Sequence, residues 1–268
     1  MNVVRHVATS PWKTKLRLEE ARKVVCIGRN YADHIAELNS ARPKQPFFFL
    51  KPPSSILRTG KGPVIRPRGV DLHYEIELAL IMGKRVKNLD VEDEAGALDA
   101  IHSKSSVFIR LRPSKIKWPL TFFKQTGYAL AIDMTARNVQ GEAKKKGLPW
   151  SIAKGFDTFL PMSNFISKSV IPDPHNIELY LTVNNEVRQS DSTNLFLFRI
   201  PRLLGTISQI MTLNRGDIVL TGTPKGVGPV VPGDVMRGGI RVNGKEIQQS
   251  KIKFAVKEST GPYAYAET

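Results

Sequence analysis

The sequence predicts an α+β fold in which strands dominate, and three features of the chain lead to this class. Short apolar or alternating runs, typical of strands, are separated by turns rich in glycine and proline. Two turns, at Asn184–Asn185 and Asn243–Gly244, have the composition of tight β-hairpins. Helix-like segments are short and do not alternate regularly with strands, as they would in a Rossmann sheet. We therefore expect one β-rich domain over residues 23–268.

The first half of the chain alternates apolar strands with short helical segments. Pro52 and Pro53 end an aromatic strand, because proline cannot donate to a sheet ladder. In the first helical segment His34 and Glu37 are three residues apart and share one face. In chain order, the predicted elements are a strand in KVVCIG, a helix in NYADHIAELNS, and strands in QPFFFLKPPSSIL and LHYEIELALIMG, followed by a helix in VEDEAGALDAI and a strand in YALAIDMTARNVQ.

The second half is richer in turns. A short helix in EAKKKG is closed by Gly147, a residue type that favours the left-handed conformation at a helix end. The segment GTPKGVG is not a nucleotide-binding P-loop, because it lacks the final Gly-Lys-Ser/Thr. The remaining predicted elements are a hairpin in IELYLTVNNEVRQ, a strand in NRGDIVLTGTPKGVGPVVPGD and a hairpin in IRVNGKEIQ.

Composition narrows the class of protein. The 268 residues are 41% apolar, and the single cysteine excludes an internal disulfide and a thiolate-rich metal site. No apolar run approaches the roughly 18 residues that span a bilayer, so no membrane segment is expected. The net charge of +16 suits nucleic acid or a small dianionic substrate. Because the chain has no zinc-finger spacing and no RNA-binding aromatic strand, nucleic acid is the weaker interpretation.

Residues 1–22 form a basic lead whose first acidic residue is Glu19. Such a segment is similar to a mitochondrial presequence, although a short disordered lead explains it equally well. We expect a mitochondrial or cytoplasmic protein, with the mitochondrion favoured.

Glu75 and Glu77 raise the question of function. They are two residues apart in a strand, so their side chains leave one face roughly 7 Å apart. Most such pairs belong to a solvent-facing sheet surface. Buried without partners they would be costly, whereas a divalent cation between them would stabilise both. With Asp133, at the end of another apolar strand, they would form an all-oxygen set suited to Mg²⁺ or Mn²⁺.

Several longer motifs sharpen this prediction. They run from about Lys23 to beyond Lys245, and together they resemble the fumarylacetoacetate hydrolase (FAH) superfamily, in particular a branch that acts on acylpyruvates and oxaloacetate. The resemblance implies a mixed β-roll or sandwich with short peripheral helices, a bound Mg²⁺ or Mn²⁺, and a homodimer. The motifs are CIGRNYADHIAEL, PFFFLKPPSSI, HYEIELALIMGK, DMTARNVQGEAKKKGLPWSIAKGFDTFLP and GDIVLTGTPKGVGPVVPGD.

The same resemblance assigns roles to individual residues. Metal ligation falls to Glu75, Glu77 and Asp133. Catalysis falls to a His34–Glu37 dyad on a lid, in which His34 is the base, and to Lys154, whereas Gln140, Thr223 and Arg29 match positions that contact the substrate. Outside this context, each could be an ordinary surface or turn residue.

These residues predict a Mg²⁺-dependent enzyme acting on a 2-oxo acid through a metal-stabilised enolate. Three reactions share that chemistry: hydrolysis of an acylpyruvate, decarboxylation of oxaloacetate, and keto–enol tautomerisation of oxaloacetate. The alternative is a catalytically impaired binding protein that uses its basic surface for nucleic acid or anionic lipid.

The chain departs from the family pattern at two places. Residues 102–126 insert six Lys/Arg and no acid between the predicted ligands. They are either a surface excursion or non-coding sequence read through in the gene model, and the clean join of the flanks favours the second. At Gly141 related sequences tend to place an acid, so activity is expected to be weaker if that acid orients Gln140 or a lid residue.

Overall fold

The computed structural model describes residues 21–101 and 127–268. The predictions for the basic lead up to residue 20 and for the 102–126 insertion therefore lie outside the described residues. Within the described ranges the helices are α1 (Ala32–Glu37), α2 (Glu94–Ala100), α3 (Arg137–Lys146), α4 (Ser151–Lys154) and α5 (Ile200–Ile210). None of these helices combines the length and the apolar character that a membrane crossing needs.

Strands dominate the described residues, as predicted. They are β1 (Val24–Ile27), β2 (Phe48–Lys51), β3 (Ile56–Arg58), β4 (Val64–Arg66), β5 (Leu72–Tyr74), β6 (Ile76–Ile81), β7 (Gly127–Ile132), β8 (Thr135–Ala136), β9 (Leu160–Met162), β10 (Ile166–Ser167), β11 (Glu178–Val183), β12 (Glu186–Ser192), β13 (Ile218–Leu220), β14 (Gly228–Pro229), β15 (Val235–Val242), β16 (Lys245–Glu246) and β17 (Ile252–Glu258).

The strands form three sheets. The largest has the order β2-β1-β13-β6-β7-β9-β3, with β10 paired to β7. The second has the order β12-β11-β15-β17-β4, with β16 on β15, and the third is β14-β5-β8. The pairs β1–β13, β3–β9 and β4–β17 are parallel and the remaining pairs are antiparallel. The predicted β-rich α+β class, with mixed sheets and short helices, is confirmed.

The largest sheet is buried on both faces at its centre. Every residue of β6 and β7 is buried. Leu78 and Leu80 belong to the main apolar cluster, whereas Ala79 and Ile81 pack into a smaller cluster on the opposite face. Glu77 shares the face of Ala79, so its carboxylate is directed away from the main core and is nevertheless buried.

The two hairpin turns are confirmed. Asn184 and Asn185 have φ values of 52° and 72° between β11 and β12, and Asn243 and Gly244 have 50° and 73° between β15 and β16. Positive φ at both central residues is the type I′ geometry that matches the strand twist. Gly147 ends α3 with φ 69°, as its position after EAKKKG predicts.

The single strand expected over residues 72–83 is an incorrect prediction. The chain leaves one sheet after Tyr74 and enters another at Ile76, so that Glu75 lies between β5 and β6. At the break, the Ile76 N–H donates to the side-chain oxygen of Gln189 at 2.9 Å instead of a strand partner. The strand predicted to reach Gln140 likewise ends at Ile132, and Arg137 begins α3.

Candidate metal centre and active site

Three carboxylates, those of Glu75, Glu77 and Asp133, meet where β6 begins and β7 ends. One oxygen of each lies within 4.8 Å of the others, and all three side chains are buried. The strand register brings them together, because Ile76 pairs with Ile132 and the Asp133 N–H donates to the Glu75 carbonyl at 2.8 Å. The oxygen-only donor set fits a hard divalent cation such as Mg²⁺ or Mn²⁺.

Glu77 is the member of this cluster that most needs a cation. Within the described part of the chain it makes no ion pair, and its Oε2 accepts the Gly222 N–H at 2.5 Å. Burial, followed by the nearby charges of Asp133 and Glu75, raises the pKa of Glu77 well above its ordinary value. A divalent cation held by the three carboxylates would favour the ionised form of Glu77.

Two buried lysines neutralise the other carboxylates. Lys154 donates to Glu75 Oε2 at 2.8 Å and to Asp133 Oδ2 at 2.9 Å. Burial opposes the Lys154 charge, but the two carboxylates outweigh burial and raise the pKa of Lys154. Lys51 donates to Asp133 Oδ1 at 2.6 Å and to the Met134 carbonyl at 2.9 Å. Sequence reasoning missed Lys51, although a lysine closing the aromatic run before Pro52 was a signal.

Arg137 is a second residue that the sequence analysis missed. Its guanidinium donates to Glu75 Oε1 at 2.6 Å and to Gln140 Oε1 at 2.7 Å. Burial disfavours the Glu75 charge, yet Lys154 and Arg137 outweigh burial and lower the pKa of Glu75. The spacing was the available signal, because Arg137 precedes Gln140 by three residues and the two share one face of α3.

The His34–Glu37 pair is formed on α1. His34 Nδ1 lies 3.1 Å from Glu37 Oε2, and the Glu37 carboxylate accepts the Gly226 N–H at 3.0 and 3.2 Å. An ion pair of 2.7 Å between Lys225 and Asp33 holds the same helix to the same loop. Because Nδ1–H donates to Glu37, we assign Nε2 as the proton acceptor of His34.

Thr223 is held by a residue that no motif indicated. Gln189 Nε2 donates to Thr223 Oγ1 at 2.9 Å and to the Pro224 carbonyl at 2.8 Å. The other end of the Gln189 amide accepts the Ile76 N–H, so this buried side chain joins the Thr223 turn to the break beside Glu75.

One small cavity collects most of the predicted residues. Its volume is about 20 Å³, roughly the space of one water molecule. Glu37 and Asp133 lie one contact behind it, bonded to His34 and Lys154. The predicted residues that line it are Arg29, His34, Glu75, Glu77, Gln140, Lys154 and Thr223.

Gly141 lies apart from these contacts. A Cβ at this position would meet no atom within 4 Å. The orientation of Gln140 comes instead from Arg137, through the hydrogen bond along α3. An acid at position 141 is therefore not needed to orient Gln140 within this chain.

The fold and the carboxylate cluster have counterparts in known proteins. The family profile described as "Fumarylacetoacetate (FAA) hydrolase C-terminal" matches residues 23–103 and 126–253. The chain belongs to the fumarylacetoacetate hydrolase family. The match is interrupted where the basic insertion lies. This is a family of enzymes, and it gives no support to the alternative of a non-catalytic binding protein.

Several relatives of the chain within the FAH family are named as oxaloacetate tautomerases. A protein of Schizosaccharomyces pombe named "Oxaloacetate tautomerase oaa1, mitochondrial" is 49% identical over 90% of this chain and 97% of its own length. Further curated relatives from cattle, budding yeast and human also carry "mitochondrial" in their names, in agreement with the location favoured by the basic lead.

Solved structures of FAH-family proteins share the fold. A yeast member of the family superimposes with a TM-score of 0.77 at 39% identity, over 93% of this chain and 98% of that one. A fumarylpyruvate hydrolase from Pseudomonas aeruginosa, solved with Mn²⁺ and pyruvate, gives a TM-score of 0.71 at 28% identity, over 89% and 91% of the two chains.

Proposed function

We propose that this FAH-family protein is a divalent-cation-dependent oxaloacetate tautomerase of the mitochondrion. The observation that supports this proposal most directly is the buried cluster of Glu75, Glu77 and Asp133 beneath the His34–Glu37 pair. The names of its relatives and the Mn²⁺ and pyruvate in one structural neighbour agree with that choice. We take Mg²⁺ as the physiological ion, with Mn²⁺ as a substitute.

The carboxylate cluster would hold the ion and the 2-oxo acid end of the substrate. The bound ion would act as a Lewis acid that stabilises negative charge at the 2-oxo oxygen. Arg137 and Gln140, already bonded to each other, present their remaining N–H groups to the substrate carboxylate. Thr223, fixed by Gln189, offers a hydroxyl from the opposite wall of the cavity.

His34 is positioned to move the proton at C3 of the substrate. Glu37 holds the Nδ1–H, which leaves the Nε2 lone pair free to accept that proton. Lys154 delivers a proton to the 2-oxygen as His34 removes the proton at C3, so the ketone becomes the enol. Proton exchange with solvent then returns His34 to its neutral form and Lys154 to its charged form. Lys154, kept charged by two carboxylates, is the donor that stabilises the oxygen while its charge develops.

The cavity is too small to admit a substrate in this conformation. Its volume of about 20 Å³ is roughly the space of one water molecule. Substrate entry therefore requires α1 to move away from the Gly226 loop, which the Glu37 hydrogen bonds hold in place. Decarboxylation of oxaloacetate and hydrolysis of acylpyruvates remain the two reactions against which tautomerisation is tested.

The experiment follows three products in one preparation of metal-depleted protein. Loss of the enol absorbance and deuterium exchange at C3 report tautomerisation, CO₂ release reports decarboxylation, and pyruvate from acetylpyruvate reports hydrolysis. Tautomerisation that appears with Mg²⁺, disappears in Glu77→Gln and persists in Glu142→Gln supports the proposal. Glu142 is a suitable control because its carboxylate bonds to Lys146 and Tyr265 outside the cavity. Folded protein that leaves the enol untouched with Mg²⁺ contradicts it.

We also propose that the functional form is a homodimer, as the family resemblance implies. Light scattering after gel filtration tests this directly. A mass twice that of the chain supports the dimer, and the mass of one chain contradicts it.

A further inference from the structure

One face of α3 directs three polar side chains into the cavity. Arg137, Gln140 and Lys144 occupy positions i, i+3 and i+7, and all three line it. Arg137 donates to both Gln140 and Glu75. Lys144 differs, because within residues 21–101 and 127–268 it makes neither a hydrogen bond nor an ion pair. It lies at the mouth, where solvent reaches it.

An aromatic platform positions Lys144 and a second cation at this mouth. The Lys144 ammonium lies 5.4 Å from the centre of the Trp150 ring, and the Arg29 guanidinium lies 5.4 Å from the centre of Phe47. The two rings meet edge to face at 6.1 Å. Phe49 packs on Trp150 at 5.4 Å, deeper in the site. These rings restrict where each cation can lie.

The charges of the cavity are unevenly matched from its floor to its mouth. On the floor, Lys154 and Arg137 are paired with Glu75. At the mouth, Arg29 donates only to the Ala41 carbonyl, and neither it nor Lys144 has a carboxylate partner among the described residues. Arg29, Arg137 and Lys144 line the same cavity, and burial, followed by the charges of Arg137 and Arg29, lowers the pKa of Lys144. An anion between Arg29 and Lys144 would relieve this repulsion.

We propose that Arg29 and Lys144 bind the distal carboxylate of a dianionic 2-oxo acid. This inference rests on the proposed function, which places the 2-oxo acid end of the ligand at the Glu75–Glu77–Asp133 cluster. The two cations then select substrates with a second carboxylate, such as oxaloacetate, over acylpyruvates with a neutral tail. The net charge of +16 is consistent with a ligand of this kind, and the two uncompensated cations locate where its second charge is bound.

The test compares two unreactive ligands that differ only in the distal carboxylate. L-malate and L-lactate share a carboxylate and a 2-hydroxyl group, and malate alone adds a second carboxylate. Calorimetric titration of the Mg²⁺-loaded protein with each gives a malate preference that does not depend on turnover. Lys144→Met keeps an unbranched side chain at this position and removes the charge that faces Trp150. We expect this variant to reduce the malate preference about 10-fold. This value is at the lower end of the range for losing a hydrogen bond to a charged group, because Lys144 is accessible to solvent.

Matched variants separate this role from a general effect on folding. Lys144→Arg keeps a cation at the mouth and is expected to restore most of the preference. Lys145→Met removes a neighbouring exposed lysine that does not line the cavity, and it is expected to leave the preference unchanged. In parallel, the ratio of the pyruvate inhibition constant to the oxaloacetate KM should fall about 10-fold in Lys144→Met.

The outcomes distinguish this inference from the proposed function. Wild-type protein that shows no preference for malate overturns the distal-carboxylate site, whether both ligands bind or neither does. The same conclusion follows if Lys144→Met retains the wild-type preference. Either result can be obtained while Mg²⁺-dependent tautomerisation is intact, in which case the proposed function stands and its substrate selection lies elsewhere.

Discussion

Replacing Glu77 by glutamine is expected to stabilise the metal-free protein, which is unusual for a substitution at a buried position. Glu77 lies within 4.8 Å of two other carboxylates and lacks a cationic partner among the described residues. Glutamine has nearly the same shape, and its side-chain oxygen can still accept the Gly222 N–H. The substitution therefore removes a buried like charge without opening a cavity.

The size of the effect follows from the geometry. Two like charges 4.8 Å apart repel by roughly 3 kcal/mol at an effective dielectric constant of about 20. Two effects offset part of this repulsion: Glu77 can take up a proton, and the nearby lysines are positively charged. We therefore expect Glu77→Gln to increase the free energy of unfolding by about 1–2 kcal/mol, which raises Tm by about 3–6 °C. Mg²⁺ at 100 times its Kd should stabilise the wild-type protein by about 2.7 kcal/mol, and Glu77→Gln should lose most of that gain.

Thermal unfolding in EDTA and in Mg²⁺ measures both quantities. Glu77→Gln should unfold at a higher temperature than wild type in EDTA and at a lower one in saturating Mg²⁺, so that the order reverses. Asp217→Asn is the matched control, because Asp217 is fully buried, is paired with Lys23 at 2.5 Å and is remote from the cluster. It should be less stable than wild type in EDTA and should keep the full Mg²⁺ gain. A Glu77→Gln protein that is destabilised in EDTA and keeps the wild-type Mg²⁺ gain would refute the reasoning.

Three further predictions concern the partners of the site and one remote histidine. Lys51→Met leaves the buried Asp133 Oδ1 without its donor and should lower the free energy of unfolding by about 3 kcal/mol in denaturant titrations. The control Lys84→Met breaks an exposed pair with Asp99 and should lower it by less than about 1 kcal/mol. Equal losses in the two variants would contradict this prediction. Glu37→Gln should reduce kcat for oxaloacetate about 100-fold with little change in KM, because the His34 tautomer is no longer fixed, and an unchanged kcat would remove Glu37 from the mechanism. His175 accepts the Ile200 N–H at 3.1 Å, and burial, then Arg199, lower its pKa below 6.5. The unfolded chain therefore binds a proton at His175 more tightly than the folded protein does, and the free energy of unfolding should fall as the pH drops below about 6.5. His175→Gln keeps a hydrogen-bond acceptor at this position and should show a shallower fall. Parallel pH profiles for the two proteins would exclude the effect.

Local sequence patterns were sufficient for much of the fold. Both hairpins follow from asparagine-containing turns, because positive φ is a property of the turn residues themselves. The end of α3 at Gly147 follows for the same reason. By contrast, α5 was missed, although Ile200, Leu203, Leu204 and Ile207 follow the i, i+3, i+4, i+7 spacing of an amphipathic helix.

The sequence by itself determined which chemical groups are available. Carboxylates two residues apart at Glu75 and Glu77, a third at Asp133, and a histidine–glutamate pair three residues apart are local patterns. Together with the longer motifs they indicated the family and its oxygen-ligated cation. These inferences need only the periodicity of strands and helices and the order of the motifs along the chain.

Only the tertiary structure decided how those charges are balanced. Lys51 reaches Asp133 across 82 positions of sequence, and Gln189 reaches Ile76 across 113. The break at Glu75 lies where the chain passes from β5 in one sheet to β6 in another, and sheet membership is set by strands that are distant in the sequence. Electrostatic compensation depends on distances of about 3 Å between groups that are remote in the chain, and periodicity contains no information about such distances.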